Sequence, residues 1–229
     1  MRKEIYNNYK IIDIIDCSED EYIDTQQKTI IFIIKKNNKD NSKNNLNFSI
    51  KNIIKNNFYI FNTKENIKKI NQLMNNTKTI NDLDFNVKVG SVVWNKCKDI
   101  LSDNKTKTRL IYSSDIKNNK LSIVKYKDEK KKNYIDKKGI CDKMIVLNRG
   151  YGKNKYKLEF CLIDTKKEYL IENHLICIIS KKKDIELSNN LYNKIIESFG
   201  NPKTKEFIDL YTGNNALNTT ELKYVLPIY

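Results

Sequence analysis

The stretch MIVLNRGYGKNKYKLEFCLI, residues 144 to 163, contains two apolar runs separated by a segment rich in glycine and lysine. A nucleotide-binding glycine loop would lead from a strand into a helix whose amino terminus holds the phosphate. Here Gly150 and Gly152 lead into a second β-like run, Tyr156 to Ile163, so they predict a hairpin turn. The stretch therefore predicts an antiparallel sheet.

Short runs on either side extend this pattern. The first apolar run predicts a strand at Met144 to Asn148, and further strands are predicted at Val87 to Trp94, Thr108 to Tyr112, Leu121 to Tyr126 and Leu175 to Ser180. Helices are predicted at Lys64 to Met74 after a Thr63 cap, Leu191 to Phe199 before Gly200, and Lys205 to Tyr211, and Asn218 to Glu221 has the pattern of a capping box. Residues 61 to 229 are therefore predicted to form one α+β domain, mainly an antiparallel sheet with C-terminal helices.

The amino-terminal part has a different pattern. After a short helix over residues 1 to 8, isoleucine-rich runs at Tyr9 to Asp16 and Thr29 to Ile34 predict strands covered on both faces, as in an α/β sheet. Two strands alone are marginal, so we expect residues 1 to 34 to be the end of a larger sheet. Residues 35 to 60 are low-complexity Lys/Asn sequence, which predicts a surface insertion or linker.

Composition limits the kind of protein. The longest apolar run in these 229 residues, Ile30 to Ile34, is far shorter than the roughly 18 residues of a membrane span, which favours a soluble, intracellular protein of the cytoplasm. The five cysteines form no C-x-x-C pair, and His174 is the only histidine, in an apolar stretch that predicts a core position. We therefore predict no metal site and no catalytic residue in this chain.

Positive charge is concentrated in the middle of the chain. The whole sequence has a formal net charge of +15, and residues 85 to 183 carry 25 basic and 11 acidic side chains, net +14. A composition bias towards lysine would spread the charge evenly, whereas a polyanion-binding surface concentrates it. The block predicts a nucleic-acid-binding surface, with a solvated lysine-rich face as the alternative.

Arginine is scarce, which makes each arginine informative. Only Arg2, Arg109 and Arg149 occur beside 40 lysines, and an arginine kept in such a background suggests a need for its planar, bidentate guanidinium. At a hairpin tip with Tyr151 and Lys153, Arg149 is suited to recognise a guanine edge or to hold a phosphate. An ion pair with a carboxylate is the structural alternative.

Four stretches, taken together and in this order, carry a resemblance to a known family: GSVVWNKCKDIL (90 to 101), KTRLIYSSDI (107 to 116), MIVLNRGYG (144 to 152) and GNNALNTTELKYVLPIY (213 to 229). In this order they resemble the target-recognition domain of adenine-N6 DNA methyltransferases, above all the TaqI-like and Eco57I-like enzymes of restriction-modification systems. Residues 1 to 34 resemble the last helix and strands of the catalytic domain of the same enzymes. The resemblance covers nearly the whole chain except the Lys/Asn-rich segment.

The family's cofactor and catalytic motifs are not in this sequence. It contains no glycine-rich cofactor turn and no Asn-Pro-Pro-Tyr-type motif, since Pro202 and Pro227 are its only prolines. We therefore expect the C-terminal part of a methyltransferase, from a split or truncated gene or as a fragment, that is inactive alone. The resemblance implies S-adenosylmethionine as cofactor of the missing part, and double-stranded DNA and a separate or upstream catalytic domain as partners.

The resemblance implies a domain that reads bases in the major groove while a flipped adenine enters the catalytic domain. The residues predicted to contact DNA are Arg149, Tyr151 and Lys153 in one loop, Asn95, Lys96 and Lys98 after Trp94, and Arg109, Ser113, Ser114 and Asp115. Trp94 itself is predicted to be core, and the C-terminal residues are predicted to be structural.

Two other functions remain open. A free-standing, sequence-specific DNA-binding protein would serve a separate catalytic chain or mask sites. A nuclease would need clustered acidic metal ligands, and Asp99, Asp115 and Glu159 are scattered along the sequence, which makes this the weaker alternative.

Overall fold

The computed structural model describes residues 2–17, 29–36, 45–52, 58–126, 130–149, 157–182, 184–211 and 216–229. These residues form a mixed α and β structure whose sheets are mostly antiparallel, as the sequence predicts. No helix among them is long and apolar enough to cross a membrane.

The amino-terminal part is a helix followed by a two-stranded ribbon. Helix α1 (Arg2–Asn8) leads into β1 (Tyr9–Asp16), which pairs antiparallel with β2 (Ile30–Lys36). One face of the ribbon packs on Phe48 through Ile11 and Ile14. The other face, which has no cover among the described residues, exposes Ile12, Ile15, Ile31 and Ile33; Ile34, which pairs with Ile11 on the first face, is exposed as well.

Part of the predicted linker is folded. Strands β3 (Ser49–Asn52) and β4 (Phe58–Phe61) pair antiparallel, although the composition did not predict them. Asn45 is fully buried beside them and joins the segment to the ribbon. Its Nδ2 donates to the carbonyls of Tyr6 and Tyr9 at 2.9 and 2.8 Å, and its Oδ1 accepts the N–H of Ile11 at 2.9 Å. Because these bonds satisfy the buried amide, they hold the segment against α1 and β1.

The other described residues form two four-stranded sheets, one further two-stranded sheet and four α-helices. Helix α2 (Lys64–Met74) begins at Thr63, whose Oγ1 accepts the N–H of Asn66. The strands that follow are β5 (Phe85–Val89), β6 (Leu101–Ser102), β7 (Thr108–Ile111), β8 (Ile116–Lys117), β9 (Lys120–Leu121), β10 (Tyr134–Ile135), β11 (Met144–Asn148), β12 (Phe160–Ile163), β13 (Tyr169–Ile171) and β14 (Leu175–Ser180). The last helices are α3 (Ile185–Gly200), α4 (Pro202–Tyr211) and α5 (Thr219–Tyr224).

The first sheet has the order β12-β11-β14-β5 and is antiparallel throughout. One of its faces packs on the helices, where Ile145 and Ile178 lie in the same core as Ile195 of α3. The rings of Phe85 and Tyr192 meet edge to face at 4.9 Å in this core. The helices thus cover one face of the sheet and leave its other face for a second layer.

The second sheet supplies that layer. Its order is β13-β7-β10-β6, with β13 parallel to β7. Val146 and Cys177 of the first sheet pack against Ile111 of the second. Because side chains alternate along a strand, Leu110 points the other way, into a smaller core with Val92, Tyr112, Ile135 and Leu170. Trp94, Cys97 and Ile100 pack against this smaller core, so it supports the segment that carries the predicted contacts Asn95, Lys96 and Lys98.

Several predicted elements are confirmed to the residue: Lys64–Met74, Met144–Asn148 and Leu175–Ser180. The strand predicted to reach Trp94 ends at Val89, because Gly90 passes so close to the second sheet that a Cβ would lie 2.1 Å from the carbonyl oxygen of Glu172. The helix predicted from Leu191 already begins at Ile185, where the Asp184 carboxylate accepts the N–H of Leu187. The strand predicted over Leu121 to Tyr126 is limited to Lys120–Leu121.

Candidate nucleic-acid interface

Two of the predicted DNA-binding segments follow strands of the first sheet that end on the same side of the sheet, next to the start of β14. Strands β5 and β11 both run antiparallel to β14, so they are parallel to each other and end where β14 begins. Asn148 is opposite Leu175, and the Gly90 N–H donates to the Leu175 carbonyl at 2.9 Å. Since neighbouring strands are about 5 Å apart, the chain exits after Asn148 and at Gly90 are separated by about 10 Å.

The first of these segments forms two consecutive 3-10 turns, Trp94–Lys96 and Lys98–Ile100. The predicted contacts Asn95, Lys96 and Lys98 are all exposed on these turns. The Lys98 Nζ lies 5.6 Å from the centroid of the Trp94 ring, within the range of a cation–π contact. Trp94 is half-buried and packs on the smaller core, so it is only partly the core residue that was predicted.

A buried ion pair supports this surface from below. The Arg109 Nη2 lies 2.8 Å from Asp115 Oδ2, and Asp115 has no exposed side-chain surface. The same carboxylate accepts the N–H of Tyr112 through Oδ2 and the hydroxyl of Tyr126 through Oδ1. Arg109 donates further to the carbonyl and the side-chain oxygen of Asn133. A buried carboxylate needs such partners, and in this arrangement any effect of Asp115 on DNA is indirect.

Three aromatic rings from separate segments surround one ammonium group. The Nζ of Lys131 lies 4.3 Å from the ring centroid of Tyr112, 4.4 Å from that of Tyr126 and 5.8 Å from that of Trp94. We call Trp94, Lys98, Tyr112, Tyr126 and Lys131 the aromatic–lysine cluster. Sequence reasoning missed Lys131 and both tyrosines, although Lys131 lies in the lysine-rich run 130 to 132.

The two tyrosines are held in place by their hydroxyl groups. Tyr112 donates to the Lys132 carbonyl at 2.9 Å, and Tyr126 donates to Asp115 at 2.8 Å. Burial is the main cause that raises the pKa of each tyrosine well above its ordinary value, and the Asp115 carboxylate raises both further. Both hydroxyls therefore stay protonated at physiological pH and remain donors.

The other predicted contacts are less central. Ser113 and Ser114 lie half-buried on the 3-10 turn Ser113–Asp115. Arg149 is half-buried after β11, and its carbonyl accepts the N–H of Leu217 at 2.8 Å. Tyr151 and Lys153 lie outside the described residues. DNA contacts by these residues stay a prediction.

His174 is not the core residue that was predicted. Its side chain is 49% exposed at the edge where β14 begins, and its Nδ1 lies 2.6 Å from Oε1 of Glu172, which is 2% exposed. Glu172 Oε2 also accepts the backbone N–H of His174 at 2.9 Å. The buried Glu172 carboxylate thus orients the exposed His174 imidazole near the ends of β5 and β11, where both predicted DNA-binding segments begin.

The described residues contain no group of three or more His, Cys, Asp or Glu side chains arranged to hold a metal ion. No protein-family model matches the chain, and no curated protein is similar to it.

Proposed function

We propose that this chain is the DNA-recognition portion of a site-specific adenine-N6 DNA methyltransferase. The observation that carries the proposal is the aromatic–lysine cluster, because two segments that resemble the recognition domain, 90 to 101 and 107 to 116, meet there. The cluster presents the exposed Lys98 and the half-buried Trp94, Tyr126 and Lys131 above the buried ring of Tyr112, next to the core of the second sheet. Lysines on such turns are suited to contact phosphates, and the surrounding basic block adds long-range attraction to DNA.

In this proposal the segments that follow β5 and β11 have different roles in DNA binding. Lys98 and its neighbours hold the DNA backbone, which positions the protein without distinguishing sequences. Arg149 follows β11, about 10 Å away across the sheet, and its guanidinium recognises a base edge. The Arg109–Asp115 pair keeps the supporting turn in place.

The amino-terminal ribbon would be the junction with the catalytic domain. The ribbon exposes five isoleucines, four of them on its second face, and among the described residues its sheet contains only β1 and β2. A neighbouring catalytic domain would cover these side chains, bind S-adenosylmethionine and transfer the methyl group. The C-terminal residues Val225, Leu226 and Ile228 are buried, in keeping with the structural role predicted for them.

Binding to duplex DNA tests the proposal directly. A pool of random duplexes is selected on the purified chain, and the enriched sequence is titrated beside a scrambled duplex. We expect a preferred site, and we expect Lys98→Ala to weaken both duplexes while Lys194→Ala, an exposed lysine on α3 outside the basic block, changes neither. A chain that enriches no sequence and binds duplex DNA no better than Lys98→Ala does would overturn the proposal.

A further inference from the structure

A cleft of about 790 Å³ opens on the second sheet, beside the turn that precedes β7. It is bounded by residues 105–109, by Ile111, by residues 121–123, by Tyr134, by residues 162–165 and by residues 167–169. Its volume lies within the roughly 300–1,000 Å³ that is typical of small-molecule sites. Except for Arg109, none of the residues discussed above as DNA contacts lines it.

The inner lining of the cleft is apolar and aromatic. Ile111, Leu162, Ile163 and the ring of Tyr134 contribute to it. Leu121 and Ile123 also line the cleft and are exposed, Ile123 to 68%. The face of a planar aromatic ring such as a nucleobase would cover these side chains and remove their surface from water.

Four cationic side chains also line the cleft. Lys105, Lys107 and Lys167 line it with Arg109. Lys107 is paired with Asp136 at 2.8 Å, and Arg109 is paired with Asp115. Among the residues that the structure describes, Lys105 and Lys167 form no ion pair, and both are exposed. They are the two cations at this cleft that an incoming anion would meet first.

The two carboxylates that line the cleft already have partners, an ion pair for Asp164 and a hydrogen bond for Glu168. Asp164 is paired with Lys143 at 2.8 Å, and Glu168 accepts the N–H of Gly139 at 2.8 Å. The turns that carry the lysines are also fixed, since Asn104 Oδ1 accepts the N–H of Thr106 and Thr165 Oγ1 accepts the N–H of Lys167. The cleft therefore joins an apolar lining to two available cations on ordered turns.

We propose that this cleft binds a nucleoside monophosphate unit, with the base on the apolar lining and the phosphate between Lys105 and Lys167. The unit is either a free nucleotide or an unpaired nucleotide of a nucleic-acid strand, because a base that stays stacked in a duplex cannot enter a cleft. This site goes beyond the duplex recognition proposed above and does not depend on it.

The experiment measures binding to the full chain by calorimetry, with deoxyadenosine monophosphate, deoxyadenosine, inorganic phosphate and a short single-stranded oligonucleotide as separate probes. The nucleotide should bind more tightly than either deoxyadenosine or phosphate. Lys167→Glu should weaken it by about tenfold or more, as expected for loss of a charge-assisted hydrogen bond. Lys166→Glu is the matched control, because Lys166 is an exposed neighbour that does not line the cleft, and its effect should stay within about threefold.

The two sources of the nucleotide give different results. Equal affinity for the free nucleotide and the oligonucleotide identifies a free nucleotide as the ligand, whereas tighter oligonucleotide binding that the nucleotide competes away identifies a strand. The proposal is wrong if neither probe binds saturably, or if Lys166→Glu and Lys167→Glu lose affinity equally. A chain that selects a duplex sequence but binds neither probe would keep the proposed function and lose this site.

Discussion

Asp115 holds Arg109 in a 2.8 Å ion pair from a position with no exposed side-chain surface. Three hydrogen-bond donors from Arg109, Tyr112 and Tyr126 converge on this one carboxylate. The pair therefore links β7, the turn that follows it and the stretch after β9. Removal of the carboxylate leaves a largely buried guanidinium without its partner.

We therefore expect Asp115→Ala to lower the free energy of unfolding by about 3–5 kcal/mol, the cost of breaking one side of a buried pair. Asp136→Ala is the control, because it removes an exposed partner from Lys107 at the same 2.8 Å distance and should cost about 1 kcal/mol or less. Urea denaturation of the three proteins measures both changes. Equal losses in the two variants would show that the Arg109–Asp115 pair has no special structural role.

Tyr126 allows the hydroxyl and the ring to be tested separately. Tyr126→Phe removes the 2.8 Å bond to Asp115 and should cost about 1–3 kcal/mol of unfolding free energy. Tyr126→Leu also removes the ring that lies 4.4 Å from Lys131 Nζ, which should cost about 0.5–2 kcal/mol more. The difference between the two variants, measured in the same denaturant series, is the contribution of the ring. If Tyr126→Phe and Tyr126→Leu have equal free energies of unfolding, the contact between the ring and Lys131 contributes nothing to stability.

Base recognition and phosphate contact should respond differently to substitution. Arg149→Lys keeps the charge but loses the bidentate guanidinium, so discrimination of the preferred duplex should fall by about 1–3 kcal/mol with little change in salt dependence. Lys98→Ala should weaken all duplexes alike and lower the slope of log affinity against log salt by about one. For wild type, contacts to about six phosphates predict a roughly thousandfold loss between about 50 and 200 mM salt.

Titrations of the preferred and scrambled duplexes at several salt concentrations separate these effects. If Arg149→Lys weakens both duplexes equally, Arg149 is a phosphate contact or a structural residue. The assignment of sequence specificity to the segment after β11 would then be wrong.

The exposed isoleucine face should make the isolated chain associate, because apolar surface beside free strand edges promotes pairing with another chain. Ile31→Lys and Ile33→Lys place charges on this face and should shift the sedimentation profile towards the monomer. Ile185→Lys is the control, since Ile185 is 77% exposed at the start of α3, away from the ribbon. A monomeric wild-type chain whose β1 and β2 amides are strongly protected from hydrogen exchange would contradict this prediction.

The cysteines should differ in reactivity. Burial raises the pKa of Cys161 and of Cys177 to about 12, whereas Cys141 is exposed. Because the thiolate is the reactive form, an alkylating reagent at about pH 8 should modify Cys141 in the folded protein and leave Cys161 and Cys177 unmodified. Mass spectrometry of the labelled peptides measures this, and early labelling of Cys177 would show that the first sheet opens.

The same two thiols predict how stability changes at high pH. Their pKa values in the folded chain lie above the ordinary thiol value of about 9, so the unfolded chain releases these protons first as the pH rises. Stability from these groups is therefore complete below about pH 9 and is lost progressively towards about pH 12. Replacing both with alanine should flatten that part of the pH profile, and an unchanged profile would assign the loss to other groups.

The sequence by itself determined those elements whose cause is local. Met144–Asn148 and Leu175–Ser180 are short, mostly apolar runs, and their length favours strands buried on both faces over helices. Thr63 and Asn218 could be predicted as helix caps because capping is local. Each side chain accepts N–H groups only two or three residues further along the chain. Net charge and its concentration between residues 85 and 183 are likewise properties of the sequence.

Only the tertiary structure decided which side chains meet. Lys131 contacts rings from three separate segments, and strand β5 ends early because Gly90 passes against Glu172. Arg109 and Asp115 were both predicted as DNA contacts, yet they satisfy each other, because the buried carboxylate needs a cation and the fold places the guanidinium beside it. Helix caps and apolar runs depend on neighbours in sequence. The buried ion pair, the rings around Lys131 and the cleft depend instead on how turns and strands pack in space.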